Sequence, residues 1–479
     1  MKKLNELYDC PYETMIKDIK INSKECEEGD LFVCTMGVTA DRHEFVADRH
    51  EFVADAVSHG AAAVVASRKV ETSVPVIYVE DTNKELTLLA KRFFDHPEEK
   101  LKIIGVTGTN GKTTVASIIQ DLMGRDICGY MGTNGIISHN FQEPIINTCP
   151  DADRLYKYMD RFVKSGNHYL SMEASSEALF RNRLWGVTFD VAIFTNITED
   201  HLNIHKTKEN YVAAKLKLLS LLSPKGVAIL NIDDENYEKE VSVCKSEIMT
   251  YGKKESTLQI VSCEQTPSCT KIEYRYQGKT YLVESKLLGE FNAYNLAAAI
   301  LALIHYGYSM EEIVSRVKNI QVLPGRLEFL DFGQNYSILL DYAHTPDAFK
   351  KLYEVLDKIK KNRIITVTGS AGGREKEKRG LMGKIVLDHS DYVIFTMDDP
   401  RTEDVDTIID ELLTLSKDKK NYERCPDRKE AIARALSIAE KDDIVLIAGK
   451  GRDNYMALAS GYVPYCDYDV IADYFTSDK

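Results

Sequence analysis

What the chain lacks already narrows its function. Positive charge is not in excess: 61 Lys and Arg stand against 74 Asp and Glu, a formal net charge of −13 over 479 residues. Proteins that hold nucleic acid without sequence preference neutralise phosphates with basic patches, so no nucleic-acid partner is expected. Long apolar runs are missing too. The longest, Leu296 to Ile304, falls far short of the roughly 20 residues that span a bilayer, so no membrane span is expected. The opening Met1-Lys-Lys-Leu-Asn-Glu-Leu-Tyr-Asp has two lysines with no apolar stretch behind them, so no secretory leader is expected. The 10 cysteines contain no C-x-x-C pair, which argues against a zinc ribbon. In a large chain without a secretion signal a disulfide framework is not expected either. The expectation is a soluble cytoplasmic protein, its core drawn from 44% hydrophobic residues, with length for about three domains.

Short apolar runs recur and most end in glycine or polar residues: Lys102-Ile-Ile-Gly-Val-Thr-Gly, Val191-Ala-Ile-Phe-Thr-Asn, Ile364-Ile-Thr-Val-Thr-Gly and Ile444-Val-Leu-Ile-Ala-Gly. Separated by segments of helical period, they predict buried parallel strands of an α/β fold. Ligands of such sheets sit at the carboxyl ends of strands, where these polar residues fall. The polar stretch Asp95-His-Pro-Glu-Glu-Lys100 and the turn Leu323-Pro-Gly-Arg326 predict boundaries that divide the chain into 1–99, 100–324 and 325–479. A seven-residue repeat, Ala40-Asp-Arg-His-Glu-Phe-Val46 followed at once by Ala47-Asp-Arg-His-Glu-Phe-Val53, is too short for a solenoid and reads as a local tandem duplication. His43 and His50 have no ligand cluster beside them, so a metal is not expected there.

The most informative stretch is Gly105-Val-Thr-Gly-Thr-Asn-Gly-Lys-Thr-Thr114, between a predicted strand and a predicted helix. A glycine-rich turn at a helix N-terminus aims backbone N–H groups at phosphate oxygens, and the helix dipole favours their charge. Gly108, Thr109, Asn110, Gly111, Lys112, Thr113 and Thr114 are therefore the expected nucleotide-phosphate loop, with Lys112 reaching the β- and γ-phosphates and the Thr113 hydroxyl on Mg²⁺. Val106 occupies the first glycine position of the strict Walker spacing. Glu173, at the end of another strand in Met172-Glu-Ala-Ser-Ser176, is the expected carboxylate ligand of Mg²⁺. Asp200, His201 and His205 follow the strand at 191–195. Without a third ligand at H-E-x-x-H spacing they predict a polar site near the nucleotide, not a zinc protease. Lys215 and Lys217 share one amphipathic helix, and sequence chemistry does not separate them.

Together with Tyr211-x-x-Ala-Lys215, Asn292-Ala-Tyr-Asn295, Leu323-Pro-Gly-Arg326, Asp341-Tyr-Ala-His-Thr-Pro346, Gly372-Gly-Arg374, Asp398-Asp-Pro-Arg401 and Gly449-Lys-Gly451, these stretches resemble, in order and spacing over nearly the whole chain, the Mur ligase family of ATP-dependent amide-bond-forming enzymes. The resemblance is greatest to the branch that adds the third residue of the peptidoglycan stem peptide. It implies a uridine-nucleotide-binding α/β domain, a central P-loop domain with a parallel sheet, and a Rossmann-like domain that delivers the amino acid. It also implies ligation of an amino acid, meso-diaminopimelate before L-lysine, to UDP-N-acetylmuramoyl-L-alanyl-D-glutamate through an acyl phosphate, by a chain acting as a monomer. Ser23, Thr148, Ser175 and Ser176 are then the implied contacts of the UDP-linked precursor. Asn295, Arg326 and Asp341 are the implied ATP contacts beyond the loop, and Lys112, Glu173, His201 and Lys215 the implied catalytic group. Lys215 matches a lysine that relatives carry as a CO₂-derived carbamate, which would join Thr113 and Glu173 at Mg²⁺. Arg374, Asp398, Asp399, Arg401, Gly449 and Asp453 are implied for the amino acid, with Arg401 gripping a distal carboxylate.

The chain departs from the family pattern at Glu177, where relatives have histidine, at Lys206 for glycine, at Asp399 for asparagine, and at Arg452-Asp453 for His-Glu. Asp399 adds negative charge beside the amino-acid site and Asp453 is shorter than glutamate; both could favour a cationic lysine over diaminopimelate. Two alternatives stay open: another Mur or folylpolyglutamate-type ligase, and a precursor-binding homologue without catalysis.

Overall fold

The computed structural model describes residues 1–36, 48–145, 147–198, 200, 202–266, 268–374 and 376–477. The first copy of the repeat, with His43, and the expected catalytic His201 lie outside the described residues. Two compact units emerge. One comprises Met1–Thr195, Val212–Thr250 and Leu301–Gly307, the other Asn196–Tyr211, Tyr251–Ile300 and Tyr308–Lys479.

The first unit opens with a small parallel sheet in the order Ile19–Lys20, Asp30–Val33, Ala61–Ala66, Val76–Tyr78. Asp30–Val33 is buried along its length and Ala61–Ala66 nearly so, as expected of strands covered on both faces. Helix Thr82–Phe93 follows, its first turn fixed by the Asp81 carboxylate, which accepts from the N–H groups of Asn83 and Lys84.

Beyond it lie five parallel strands in the order Cys128–Gly132, Tyr169–Glu173, Lys102–Thr107, Phe189–Phe194, Leu222–Asn231. Lys102–Thr107 sits in the middle, and the strand order reverses around it. The chain goes first to one side of it, then to the other. Its carboxyl end is therefore the crevice where a ligand is expected in an open α/β sheet. Val106, in the first Walker glycine position, is fully buried in this strand.

The second unit is built on a six-stranded sheet in the order Glu328–Leu330, Ser337–Asp341, Ile444–Ala448, Ile364–Thr368, Tyr392–Phe395, Tyr422–Arg424. Only the first pair is antiparallel. Apolar residues pack on both faces: Phe349, Leu352, Leu356, Val386 and Ile409 on one, Ile432, Ala435, Leu436 and Ile471 on the other. This explains why the Ile364 and Ile444 runs are almost continuously apolar. Among the described residues no helix is long and apolar enough to cross a membrane; the longest apolar run lies in helix Glu290–His305.

Candidate functional site

The turn after Thr107 is made by Gly108 and Gly111, both at positive φ (148° and 90°), and Gly111 hands the chain directly to helix Lys112–Met123. An L-side chain at Gly111 would be strained, so glycine is what lets the helix begin pointing its N-terminus into the crevice. The Lys112 ammonium curls back over the loop and donates to the carbonyls of Gly108 and Thr109, each at 2.9 Å. Thr195, after the neighbouring strand, donates its hydroxyl to the Asn110 carbonyl at 2.6 Å, and Asn231 from the next strand holds the Thr195 carbonyl at 2.8 Å. Thr113 is buried beneath the loop and Thr114 lies in the same first turn.

Thr113 donates to the Glu173 carboxylate at 3.0 Å. The same carboxylate accepts from the Tyr130 hydroxyl at 2.8 Å, the Thr133 N–H at 2.7 Å and the Thr133 hydroxyl at 3.3 Å. A Cβ on Gly132 would lie 2.3 Å from a Glu173 oxygen, so that backbone must be bare for the carboxylate to fit. Glu173 is 1% exposed, and among the described residues its partners are hydroxyls and an amide, with no cation. A buried carboxylate and a threonine hydroxyl beside a phosphate loop are hard oxygen donors short of a positive charge, a set that fits Mg²⁺.

Lys215 and Lys217 are separated by the structure. Lys217 reaches the carbonyls of Leu179 and Phe180 from the rim. Lys215 is 1% exposed and donates to the Gly108 carbonyl at 2.7 Å, the same carbonyl that Lys112 holds. Of the expected precursor contacts, Thr148 meets Thr133 hydroxyl to hydroxyl at 3.3 Å, which ties it to Glu173. Ser175 caps helix Ser176–Phe180 by accepting from Ala178 N–H, and Ser176 is buried in its first turn. Cys149 bridges the two, accepting from Ser175 N–H and donating to the Glu173 carbonyl.

Ser23 stands apart from this group. It is buried in a short 3₁₀ turn capped by Asn22. Near it the unit holds a cavity of about 230 Å³ lined by Ile21, Thr35, Arg49, Lys84, Arg181 and Arg183, among others, with Ser23 not part of its wall. Arg183 pairs with Asp151 at 3.2 Å and Arg181 with Glu177 at 2.9 Å. Glu177 thus anchors an arginine. His50 is no metal ligand: Nδ1 lies 2.5 Å from Asp48 and Nε2 accepts from Ser67 N–H at 3.0 Å, which uses both ring nitrogens.

In the second unit Asn295 is buried and donates to the Asn292 side chain at 2.9 Å. Arg326 stacks over the Tyr342 ring at 4.5 Å, and its Nε has no hydrogen-bond partner among the described residues. Asp341, at the end of its strand, accepts from the N–H groups of Leu327 and Ala343, both at 2.8 Å, while burial raises its pKa. His344 is pushed down to about 4 by burial and by the Lys378 charge.

Asp398, Asp399, Arg401, Gly449 and Asp453 converge at the carboxyl ends of Tyr392–Phe395 and Ile444–Ala448. A Cβ on Gly449 would lie 2.3 Å from an Asp398 oxygen. Burial pushes Asp398 up to about 6, although Arg428 and Lys450 hold it down. Asp399 brings its expected negative charge to this site, with a counter-charge beside it. Lys450 pairs with it at 2.9 Å, and Ala457 N–H donates to the same oxygen at 2.9 Å. Lys450 lies 3.5 Å from Asp453 as well, and Tyr342 donates to Asp453 at 2.9 Å. Asp399 and Arg401 both adopt positive φ (44° and 58°), strain that the Pro400 turn and the Arg401 N–H bond to the Ala457 carbonyl sustain. Arg401 donates to the Gly372 carbonyl. Arg374 is exposed.

Sequence reasoning missed Tyr130 and Thr133, which hold Glu173, and Lys450, although it lies inside the Gly449-Lys-Gly451 stretch. It also missed Arg49, Arg181 and Arg183; the alternating arginines after the Ser-Ser pair were the available signal.

Residues 106–303 match the Mur ligase middle domain and residues 325–451 the Mur ligase, glutamate ligase domain. The chain is similar to UDP-N-acetylmuramoyl-L-alanyl-D-glutamate–2,6-diaminopimelate ligase of Fusobacterium nucleatum, 38% identical over 94% of this chain and 92% of that protein. The Bacillus cereus protein of the same name is 36% identical over 96% and 94%. A solved structure of a ligase so named superposes with a TM-score of 0.66 at 27% identity, covering 100% of this chain and 99% of the other. With relatives this similar along nearly its whole length, and a phosphate loop, carboxylate and buried lysine in the arrangement described, the chain belongs to the Mur ligase family.

Proposed function

We propose that the chain joins diaminopimelate to UDP-N-acetylmuramoyl-L-alanyl-D-glutamate at the expense of ATP, releasing ADP and phosphate in peptidoglycan synthesis. The observation that carries this reading is the convergence of Lys112, Thr113, Glu173 and Lys215 on the Gly108 turn. In this reading the loop N–H groups and Lys112 hold the ATP phosphates, and Lys112 offsets charge on the phosphoryl group in flight. The precursor carboxylate takes that group to form an acyl phosphate, and the amine of the incoming amino acid displaces phosphate. Mg²⁺, when bound, supplies charge neutralisation at the phosphates; Thr113 and Glu173 are the residues that would hold it. Lys215 as a carbamate would add two oxygens there.

Thr148 and Ser175, tied to Glu173, are the proposed contacts of the precursor's peptide end, with Ser176 beside them. Ser23 lies toward its nucleotide end. Asn295, Arg326 and Asp341 are the proposed nucleotide contacts of the second unit. Arg401, Asp398, Asp399, Gly449, Asp453 and the exposed Arg374 form the proposed amino-acid site. With Lys450 neutralising Asp399, Arg401 keeps the preference for a distal carboxylate over an ammonium. The division into 1–99, 100–324 and 325–479 suits a chain whose four-stranded parallel sheet ends at Tyr78 and whose six-stranded sheet begins at Glu328. A cytoplasmic setting follows from the substrates of this reading, ATP and a nucleotide-linked precursor.

The test is phosphate release from ATP with UDP-N-acetylmuramoyl-L-alanyl-D-glutamate and a panel of amino acids. Release is expected with meso-diaminopimelate. Preferential use of L-lysine would overturn the amino-acid assignment, and no release with any amino acid would overturn the ligase reading.

A further inference from the structure

The two turns that carry Asp398, Asp399 and Arg401 on one side, and Gly449 and Asp453 on the other, leave from strands that are not neighbours. Tyr392–Phe395 and Ile444–Ala448 lie on opposite sides of Ile364–Thr368. Adjacent strands stand about 4.8 Å apart, so the two turns leave the sheet about 10 Å from each other. They then close over the end of the middle strand until a Cβ on Gly449 would lie 2.3 Å from an Asp398 oxygen and Lys450 meets Asp399 at 2.9 Å. Their spacing has little slack.

Arg428 bridges the roots of both turns. It opens helix Arg428–Ile438, directly behind the Asp427 cap. Its Nη1 donates to the Met397 carbonyl at 3.2 Å and its Nη2 to the Ala448 carbonyl at 3.0 Å. Met397 immediately precedes Asp398, and Ala448 immediately precedes Gly449. One planar group therefore spans the gap one residue below the start of each turn. The guanidinium is itself fixed by Asp467, the first residue of helix Asp467–Ser477, whose two oxygens accept from Nε and Nη2 at 2.8 Å each. The Tyr465 hydroxyl also donates to Asp467, at 2.8 Å. The side chains of Arg428 and Asp467 are fully buried. A buried ion pair adds little net stability over apolar residues of the same volume. What the fork adds is geometry: two carbonyls and a carboxylate held at fixed separation, which a lysine ammonium, a single point of charge, does not reproduce.

We propose that Arg428 is a positioning residue that sets the distance between the turns at Asp398 and Gly449, and with it the width of the amino-acid site. The inference rests on the reading that these turns hold the incoming amino acid.

The experiment measures KM for meso-diaminopimelate, for ATP and for the UDP-linked precursor, beside thermal unfolding. The proteins are wild type, Arg428→Lys, the double variant Arg428→Gln/Asp467→Asn, and Tyr465→Phe. Arg428→Lys keeps a charge against Asp467 without spanning both carbonyls. The double variant leaves no charge buried alone and decides the matter where Arg428→Lys does not fold. In both, KM for diaminopimelate is expected to rise about 10- to 100-fold, since a misplacement of about 1 Å costs on that order. KM for ATP and for the precursor should change less than about twofold, because only the binding of one substrate is lost. Tyr465→Phe takes a donor from Asp467 and leaves both carbonyl bonds in place. It should lower the unfolding temperature and move the diaminopimelate KM less than about twofold. A rise shared equally by all three substrates, or an equal rise in Tyr465→Phe, would mark a general loosening and overturn the inference. An unchanged diaminopimelate KM in an active Arg428→Lys or double-variant enzyme would overturn it too, leaving the ligase reading intact. If wild type takes L-lysine in place of diaminopimelate, the amino-acid assignment falls and the same comparison made with L-lysine decides the inference. A wild type that ligates neither would overturn both readings.

Discussion

Replacing Glu173 by glutamine separates the charge of this side chain from its shape. One carboxylate oxygen accepts from Thr113, Tyr130 and the Thr133 N–H; among the described residues the other meets only the Thr133 hydroxyl at 3.3 Å. A glutamine that places its carbonyl at the first oxygen keeps three bonds. Its amide group then faces the Thr133 hydroxyl, which can rotate to accept. The cost is the extra strength of bonds to a charged acceptor, roughly 1 kcal/mol each. The gain is relief from burying an ion without a counter-charge, several kcal/mol before relaxation. The two nearly cancel, so Glu173→Gln is expected to shift unfolding stability by no more than about 1–2 kcal/mol. Activity should not be spared. A lost charge at the phosphoryl-transfer centre is worth about 3–4 kcal/mol, a fall of roughly 10²- to 10³-fold in kcat. The assay is ADP release across a Mg²⁺ titration, beside thermal unfolding of both proteins. A higher Mg²⁺ requirement and a low kcat in a well-folded variant are expected. A Glu173→Gln enzyme with wild-type rate and Mg²⁺ dependence would refute the assignment of Glu173 to the metal, and a variant destabilised by many kcal/mol would refute the cancellation.

Lys112→Ala should fold normally and lose about 3 kcal/mol or more of transition-state stabilisation, read as kcat for phosphate release. Lys215→Ala should also lose activity, with partial recovery in acetate if the missing group is a carbamate, whereas Lys217→Ala should keep near-wild-type rates. Removing Arg401 as alanine should cost roughly 2–5 kcal/mol in kcat/KM for diaminopimelate and much less for lysine, measured in competition. Asp153, pushed up to about 7 by burial, holds a proton in the folded chain that the unfolded chain has already released. Its contribution therefore falls as pH rises from about 4 through 7, by at most about 4 kcal/mol, and Asp153→Asn should flatten that decline in urea unfolding and raise stability at pH 8.

The phosphate site was legible because its parts are contiguous or sit at strand ends. A strand, two glycines and a helix start lie within one short stretch, and Glu173 closes a recognisable strand. Lys215 needed the fold: a helix carrying two lysines two residues apart does not say which one faces the sheet, and only the approach to Gly108 decides. The partner of Asp399 was hidden for the same kind of reason. Its counter-charge, Lys450, comes from a strand end 51 residues away, and pairing at that range is set by sheet order, which local pattern does not encode. The cavity beside Arg49 is assembled from segments near residues 21, 35, 49, 84 and 183, so neither spacing nor composition could reveal it, and Ser23 was the nearest visible landmark. His201 and the first repeat copy were named as sites or landmarks and lie outside the described residues.

The Gly108 carbonyl accepts from both Lys112 and Lys215, so the two ammonium nitrogens are no farther apart than those two bonds laid end to end. Like charges meeting on one neutral acceptor in a buried place repel. Turning the Lys215 ammonium into a carbamate would invert that relation, replacing a rival of Lys112 with a counter-ion. The enzyme would then carry a memory of its atmosphere. Protein prepared in degassed, bicarbonate-free buffer would start slowly and accelerate as dissolved CO₂ is restored, and the lag would vanish in Lys215→Ala together with the activity. With that carbamate in place, two lysines sharing one oxygen would turn a dissolved gas into a condition of turnover.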